Sequence, residues 1–217
     1  MTEAIPALDD LRQVPRQRQA AAPSSVRLGV VARAEASGGD APALAGFIAS
    51  SFSPLVAEAA ARCLTAAGRV TIVPGADPPG GDPPSTVGDA EDGARRQDGA
   101  DARRTGIVIL SASGDVATNA SIARGVDAGA RLGPLLFFQA VPNAVAGYIA
   151  ARWGLTGPVV CLSPAGDALA DGYAAAELLI IDGDADEVLI IVAEQSDLDG
   201  ERDHAFALLV CDKGVQP

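Results

Sequence analysis

Short, continuously apolar runs alternate with helical patterns from residue 105 onward, and this alternation constrains the fold more than any other feature of the sequence. The runs predicted to be strands cover 106–113, 158–163, 187–193 and 205–211, and the predicted helices cover 115–126, 143–153 and 167–181. Strands that are apolar without interruption are typical of a sheet with helices on both faces. The sequence therefore predicts an α/β fold.

A shorter set of elements is predicted before this region. β-Rich runs over 26–32 and 69–73 indicate two strands. Between them, Ser53 and Pro54 have the residue types of a helix cap and a first helical position, and an Ala-rich stretch continues to Leu64. We therefore expect a strand, a helix and a further strand in this part of the chain.

Two segments carry almost nothing that a core could bury. Residues 1–25 are polar and lack periodicity, which predicts a mobile N-terminal arm. Residues 74–104 consist largely of Gly, Pro, Ala and charged residues, which predicts a disordered insertion. We expect one domain over 26–213, interrupted by this insertion.

The charge balance narrows the range of partners. Sixteen Lys and Arg against 28 Asp and Glu give a formal net charge of -12, which repels the phosphates of nucleic acid and anionic lipid. Apolar runs such as Val188 to Ala193 are far shorter than the ~20 residues that span a bilayer. We expect neither a nucleic-acid partner nor a membrane segment.

Cysteine and histidine usage limits the chemistry. Cys63, Cys161 and Cys211 are widely spaced without a CxxC pair, and the N-terminus lacks the basic and apolar regions of a signal peptide. These features predict a reduced, cytoplasmic protein. Because His204 is the single histidine of the sequence, a multi-histidine metal site and a mechanism with two imidazoles are excluded, and no cofactor is expected.

Two ordered motifs resemble those of a known family. Residues 137–147 read FFQAVPNAVAG and residues 153–158 read WGLTGP, and together they resemble the FxxxxxNAxAG and GLxGP signature of β-ketoacyl synthases. Residues 183–189, GDADEVL, are similar to the turn that follows the helix of the synthase nucleophile. The resemblance covers 104–210 well and 26–73 more loosely. The other interpretation is that these motifs are a helix start and a turn of an unrelated α/β protein.

The resemblance implies half of a thiolase-like fold, a βαβ-rich sheet covered by helices, with the second half missing. Active synthases place a nucleophilic cysteine at the N-terminus of a long helix, and the matching residue here is Gly166. Their two catalytic histidines belong to the second half, whereas this chain stops at Pro217. No catalytic residue is therefore expected. Cys161 is expected to be a buried apolar residue, and His204 a surface residue at the entrance of a strand.

A synthase-like chain without the cysteine is similar to chain-length factors, the non-catalytic subunits of type II polyketide synthases. The half-length form resembles those of the highly reducing, polyene-making systems. This likeness implies a heterodimer or heterotetramer with an active β-ketoacyl synthase, with acyl carrier protein reached through the complex. Side chains that reach the partner's tunnel or the interface would be Val116, Asn119, Ile122, Leu136, Phe137, Phe138 and Asn143.

Two other functions remain open at this point. The chain could be a scaffold or adaptor that binds acyl carrier protein or another biosynthetic enzyme without lining a tunnel. It could also be an unrelated small enzyme that uses Cys161 or Ser163, although Ser163 has no candidate base nearby in the sequence. An intact synthase encoded next to this chain would favour the chain-length factor.

Overall fold

A computed structural model describes residues 26–72, 103–196 and 203–214. These residues form five strands and five helices: β1 (Leu28–Ser37), α1 (Phe52–Ala66), β2 (Thr105–Leu110), α2 (Val116–Asp127), α3 (Pro134–Gln139), α4 (Pro142–Trp153), β3 (Val159–Leu162), α5 (Ala168–Ile181), β4 (Glu187–Glu194) and β5 (His204–Asp212). The predicted arm over 1–25 and most of the predicted insertion lie outside the described residues. Within the described ranges, the helices are too short or too polar to cross a membrane.

The five strands form one mixed sheet in the order β1-β5-β4-β2-β3. β2 pairs in parallel with both β3 and β4, whereas β5 pairs antiparallel with β4 and β1. Parallel neighbours need a crossover connection; α2, α3 and α4 lie between β2 and β3, and α5 lies between β3 and β4. The predicted α/β class is confirmed.

Side chains alternate between the two faces of the sheet and build two apolar layers. Ile107, Leu189 and Leu209 belong to the layer that α1 and α4 cover. Val108 and Ile190, one position further along their strands, belong to the layer beneath α5. The continuous apolar runs in the sequence follow from this burial on both faces.

The strand predicted over 69–73 is wrong for the residues that can be described. Residues 69–72 join no sheet, and Val70 is 82% exposed. The Arg69 amide bonds the Leu64 carbonyl at the end of α1, and the Ile72 amide bonds the Arg152 carbonyl at 2.8 Å. Both sides of β2 are occupied by β3 and β4, so this β-prone segment has no ladder position beside the strand it precedes.

The predicted starts of two helices are also corrected. α1 begins earlier than predicted, with Ser51 at the cap, and Ser53 is buried inside the first turn. α4 begins at Pro142 rather than at the predicted residue 143, and Val141 precedes it at the cap position. The fixed φ of proline suits the first turn of a helix, which moves the start by one residue.

Candidate functional site

Three parallel strands end at one edge of the sheet. Leu110 at the end of β2 is in register with Leu162 of β3 and with Val192 of β4. The chain enters α2 directly after β2 and α5 directly after β3, so the N-termini of these two helices lie at this edge. In α/β sheets, ligands bind outside the carboxyl ends of the strands, and this edge is therefore the candidate site.

Gly166, the residue matched to the synthase nucleophile, lies two positions before α5. It is exposed, and a β-carbon built on it would meet no heavy atom within 4 Å. The space for a side chain is therefore present, whereas the side chain itself is absent.

The carboxylates of two aspartates accept hydrogen bonds from backbone amides around this helix terminus. The Asp167 carboxylate accepts hydrogen bonds from the amides of Leu169 at 2.9 Å and Ala170 at 3.1 Å. The Asp171 carboxylate accepts one from the Ala165 amide at 2.9 Å. Free amides at a helix N-terminus can stabilise an anion, but here carboxylates of the chain itself hold them. The negative charge of these carboxylates also disfavours a thiolate or an oxyanion.

The other candidate nucleophiles are not brought together with the histidine. Cys161 is half-buried in β3, and burial raises the pKa of its thiol. Ser163 is exposed and donates to the Ala112 carbonyl at 3.3 Å. His204 is the exposed first residue of β5, as predicted. Since β4 and β2 lie between β5 and β3, strand spacing alone separates His204 from Ser163 by about 14 Å, too far for a base.

All seven predicted tunnel or interface residues lie in the connection between β2 and β3, residues 111–158. Val116 and Asn119 are exposed on α2, and Ile122 is half-buried on the same helix. Phe137 and Phe138 lie on the short helix α3, and their rings are about half exposed, at 51% and 53%. The remaining two are the half-buried Leu136 of α3 and the exposed Asn143 of α4.

Contacts with the segment before α1 hold α3 in place. The Phe138 ring packs on Phe47 with centroids 6.2 Å apart. The buried Gln139 side chain accepts hydrogen bonds from the amides of Ile48 and Ala49, each at 3.2 Å. The connection between β2 and β3 is thereby fixed at α3.

Nothing in the described ranges groups three or more His, Cys, Asp or Glu side chains in a way that could hold a metal ion.

Comparison with known proteins gives a family match over part of the chain. Residues 97–199 match the family model of the β-ketoacyl synthase N-terminal domain. These residues make up just under half of the chain, which is to that extent β-ketoacyl synthase-like. Its fold is similar to that of a β-ketoacyl synthase from Burkholderia phymatum STM815, with 14% identity and a TM-score of 0.56 over 87% of this chain and 60% of that one. The predicted thiolase-like ketosynthase fold is thereby confirmed.

Weaker likenesses connect the synthase-like chain to two further structures. One is a ketosynthase (ApeO) in complex with its chain length factor (ApeC) from Xenorhabdus doucetiae, with 21% identity, a TM-score of 0.43, and coverage of 51% of this chain and 50% of that one. The other is the ishigamide ketosynthase/chain length factor, with 20% identity, a TM-score of 0.43, and coverage of 53% and 37%. The synthase-like chain thus spans 37% to 60% of the length of these structures. No curated protein matches it.

Sequence reasoning missed the polar residues around the site of the synthase-like chain. Asp171 follows Asp167 by four residues, a spacing that places both carboxylates on one side of the first turn of α5, and this signal was available. Glu194 and Gln195 contact the α2 region from the end of β4. Their partners are about 80 residues away in sequence, so no local pattern could have identified them.

Proposed function

We propose that this synthase-like chain is a non-catalytic chain-length-factor subunit, which pairs with an active β-ketoacyl synthase and shapes its product tunnel. The N-terminus of α5 carries the proposal. Condensation needs a thiolate and donors for an oxyanion, but Gly166 has no side chain. Asp167 already accepts the bonds of two first-turn amides. The N-terminus of α5 is therefore poorly suited to condensation, and this favours a structural role for the chain.

Exposed apolar side chains support a protein partner. Six exposed apolar residues lie in the connection between β2 and β3: Val116, Val126, Leu135, Phe137, Phe138 and Val141. A contiguous apolar surface marks an interaction site, and we expect these side chains to form one. A second apolar area lies on α5, where only Gly172 and Ala176 are buried and Leu178 is 61% exposed.

The proposed partner is a synthase with its cysteine and both histidines, in a heterodimer or heterotetramer of the type II, polyene-making kind. In this arrangement α2 and α3 face the partner. Val116, Asn119 and Ile122 are spaced by three residues, so they share one side of α2. An apolar side chain at the end of a tunnel limits by volume how many carbons fit, and acyl carrier protein would be bound by the complex.

Replacement of Ile122 tests this function in a complex reconstituted with that synthase. Ile122→Ala enlarges the tunnel end and should shift products to longer chains, and Ile122→Trp should shorten them or stop elongation. Mass spectrometry of the released chains gives the distribution. Arg124→Ala is the matched control, because the 3.6-residue repeat places Arg124 on the other side of α2.

The outcomes separate the proposed function from its competitor. Normal complexes with wild-type products from both Ile122 variants would refute the tunnel role and favour a scaffold. Failure of the wild-type chain to co-elute with the synthase in size-exclusion chromatography would refute the pairing itself.

A further inference from the structure

Polar contacts hold α2 at its N-terminal end. Among the residues of α2, Thr118 alone is buried. Its amide and hydroxyl both donate to the Asp115 carboxylate, at 2.9 and 2.7 Å, and Asp115 is itself only 2% exposed. The buried residue of α2 is therefore half of a polar capping pair, whereas the apolar Val116 and Val126 remain exposed. A helix with so little buried apolar surface needs another source of positional restraint.

Glu194, the last residue of β4, holds the loop that leads into α2. Its carboxylate accepts hydrogen bonds from the Ala112 amide at 2.5 Å, from the Ser111 hydroxyl at 3.3 Å and from the Ser113 hydroxyl at 3.2 Å. These three consecutive residues connect β2 to the cap of α2. β4 is paired on both sides within the sheet, so the carboxylate ties the loop to a rigid strand.

Gln195 connects α2 to the N-terminus of α1. Its side-chain oxygen accepts from the Ala117 amide in the first turn of α2 at 3.2 Å. Its side-chain nitrogen donates to the Ser51 hydroxyl at 3.0 Å, and that hydroxyl donates to the Asp203 carboxylate. Ser51 is the cap residue of α1, whose apolar side is buried in the core. The amide of Gln195 thus bridges a loosely packed helix to a firmly packed one.

We propose that Glu194 and Gln195 are positioning residues that fix α2 at the carboxyl edge of the sheet. They set how far Val116, Asn119 and Ile122 reach toward the partner synthase. The consequence for product length rests on the proposed function. The restraint on α2 itself does not rest on the proposed function, because it follows from hydrogen bonds within this chain.

Hydrogen exchange of the full chain, measured without the partner, tests the restraint. A charge-assisted hydrogen bond is worth about a tenfold factor in an equilibrium. Glu194→Ala should therefore accelerate amide exchange over residues 112–121 by about tenfold or more. Glu194→Gln keeps one acceptor oxygen for the Ala112 amide and should restore most of the protection.

Asp186→Ala is the matched control at the opposite end of β4. The Asp186 carboxylate likewise accepts from a loop amide, that of Arg104 at 2.7 Å, but far from α2. Asp186→Ala should leave amide exchange over 112–121 unchanged. If Glu194→Ala fails to fold, Gln195→Ala replaces it, because it removes the acceptor of the Ala117 amide and the donor to the Ser51 hydroxyl and leaves the Glu194 bonds in place.

Product length is the readout that a purely structural role would not change. Glu194→Ala should broaden or shift the distribution at unchanged complex stoichiometry, and Glu194→Gln should return it toward wild type. Exchange over 112–121 that changes less than about twofold in Glu194→Ala would overturn the inference. So would accelerated exchange with wild-type products, in a complex where Ile122→Ala does alter them. An unaltered distribution in Ile122→Ala instead refutes the proposed function, so the two failures have different signatures.

Discussion

Gly172 allows α5 to approach the sheet closely, and replacing it by alanine should force the helix outward. A β-carbon at this position would lie 2.7 Å from Cγ2 of Ile190 and 3.0 Å from Cδ1 of Leu110. Carbon atoms in ordinary contact are about 3.5–4.0 Å apart. Ile190 and Leu110 are both fully buried in the sheet, so neither can move without disturbing its neighbours.

Gly147 in α4 provides the matched control for this substitution. It lies in a helix interior, and a β-carbon there would meet nothing within 4 Å. Gly→Ala in a helix interior gains about 1 kcal/mol from helix propensity, and both variants share this gain. Overpacking of a core costs about 1–3 kcal/mol and applies to Gly172→Ala alone. The free energies of unfolding of the two variants should therefore differ by about 1–3 kcal/mol.

Urea unfolding followed by circular dichroism measures this difference. Gly147→Ala should stabilise the chain by about 1 kcal/mol, and Gly172→Ala should be neutral to destabilising by about 2 kcal/mol. Equal stabilisation by both substitutions would refute the close approach of α5 to β2 and β4. The result also concerns the candidate site, because α5 determines where Gly166 lies.

Three further predictions concern the site, the insertion and the core thiol. Gly166→Cys should give no condensation product from acyl and malonyl carrier-protein substrates, because the thiol would lie beside carboxylates and without a base; product from the purified variant would show that the N-terminus of α5 can support the chemistry, and product from the purified unmodified chain would contradict the proposed non-catalytic role. Deletion of residues 81–95, about half of the predicted insertion, should leave the proposed complex and its stability nearly unchanged, since halving a loop changes its closure free energy by about 0.6 kcal/mol; extending the deletion through Arg104 should destabilise the chain, because Arg104 bonds Asp186. Burial raises the pKa of the Cys63 thiol from 9.0 to about 11, so iodoacetamide at pH 8 should label it only after unfolding. The contribution of this thiol to stability should be present below pH 9 and lost as pH rises through about 11; labelling of the native chain at the unfolded rate would contradict its burial.

Local sequence patterns predicted most of the described elements. The apolar runs of β2, β4 and β5 and the cap aspartates of α2 and α5 act over a few residues, so their effects can be recognised without the fold. The resemblance to the family motifs also implies that Gly166 stands at the nucleophile position, and this stays a prediction that rests on motif spacing alone. The strand predicted over 69–73 failed for the opposite reason, since β propensity is realised only where a sheet offers a neighbouring strand.

Only the tertiary structure decided which polar groups meet. The Glu187 carboxylate is almost fully buried, and it accepts from the Thr105 hydroxyl at 2.6 Å and pairs with Arg69, 118 residues earlier. Glu194 and Gln195 likewise find their partners across the sheet edge. A buried polar group needs a hydrogen-bond partner, but the partner is supplied by whichever strand or loop the topology brings there. The sequence by itself therefore determined most of the elements, and the order of the strands determined how α2 is held.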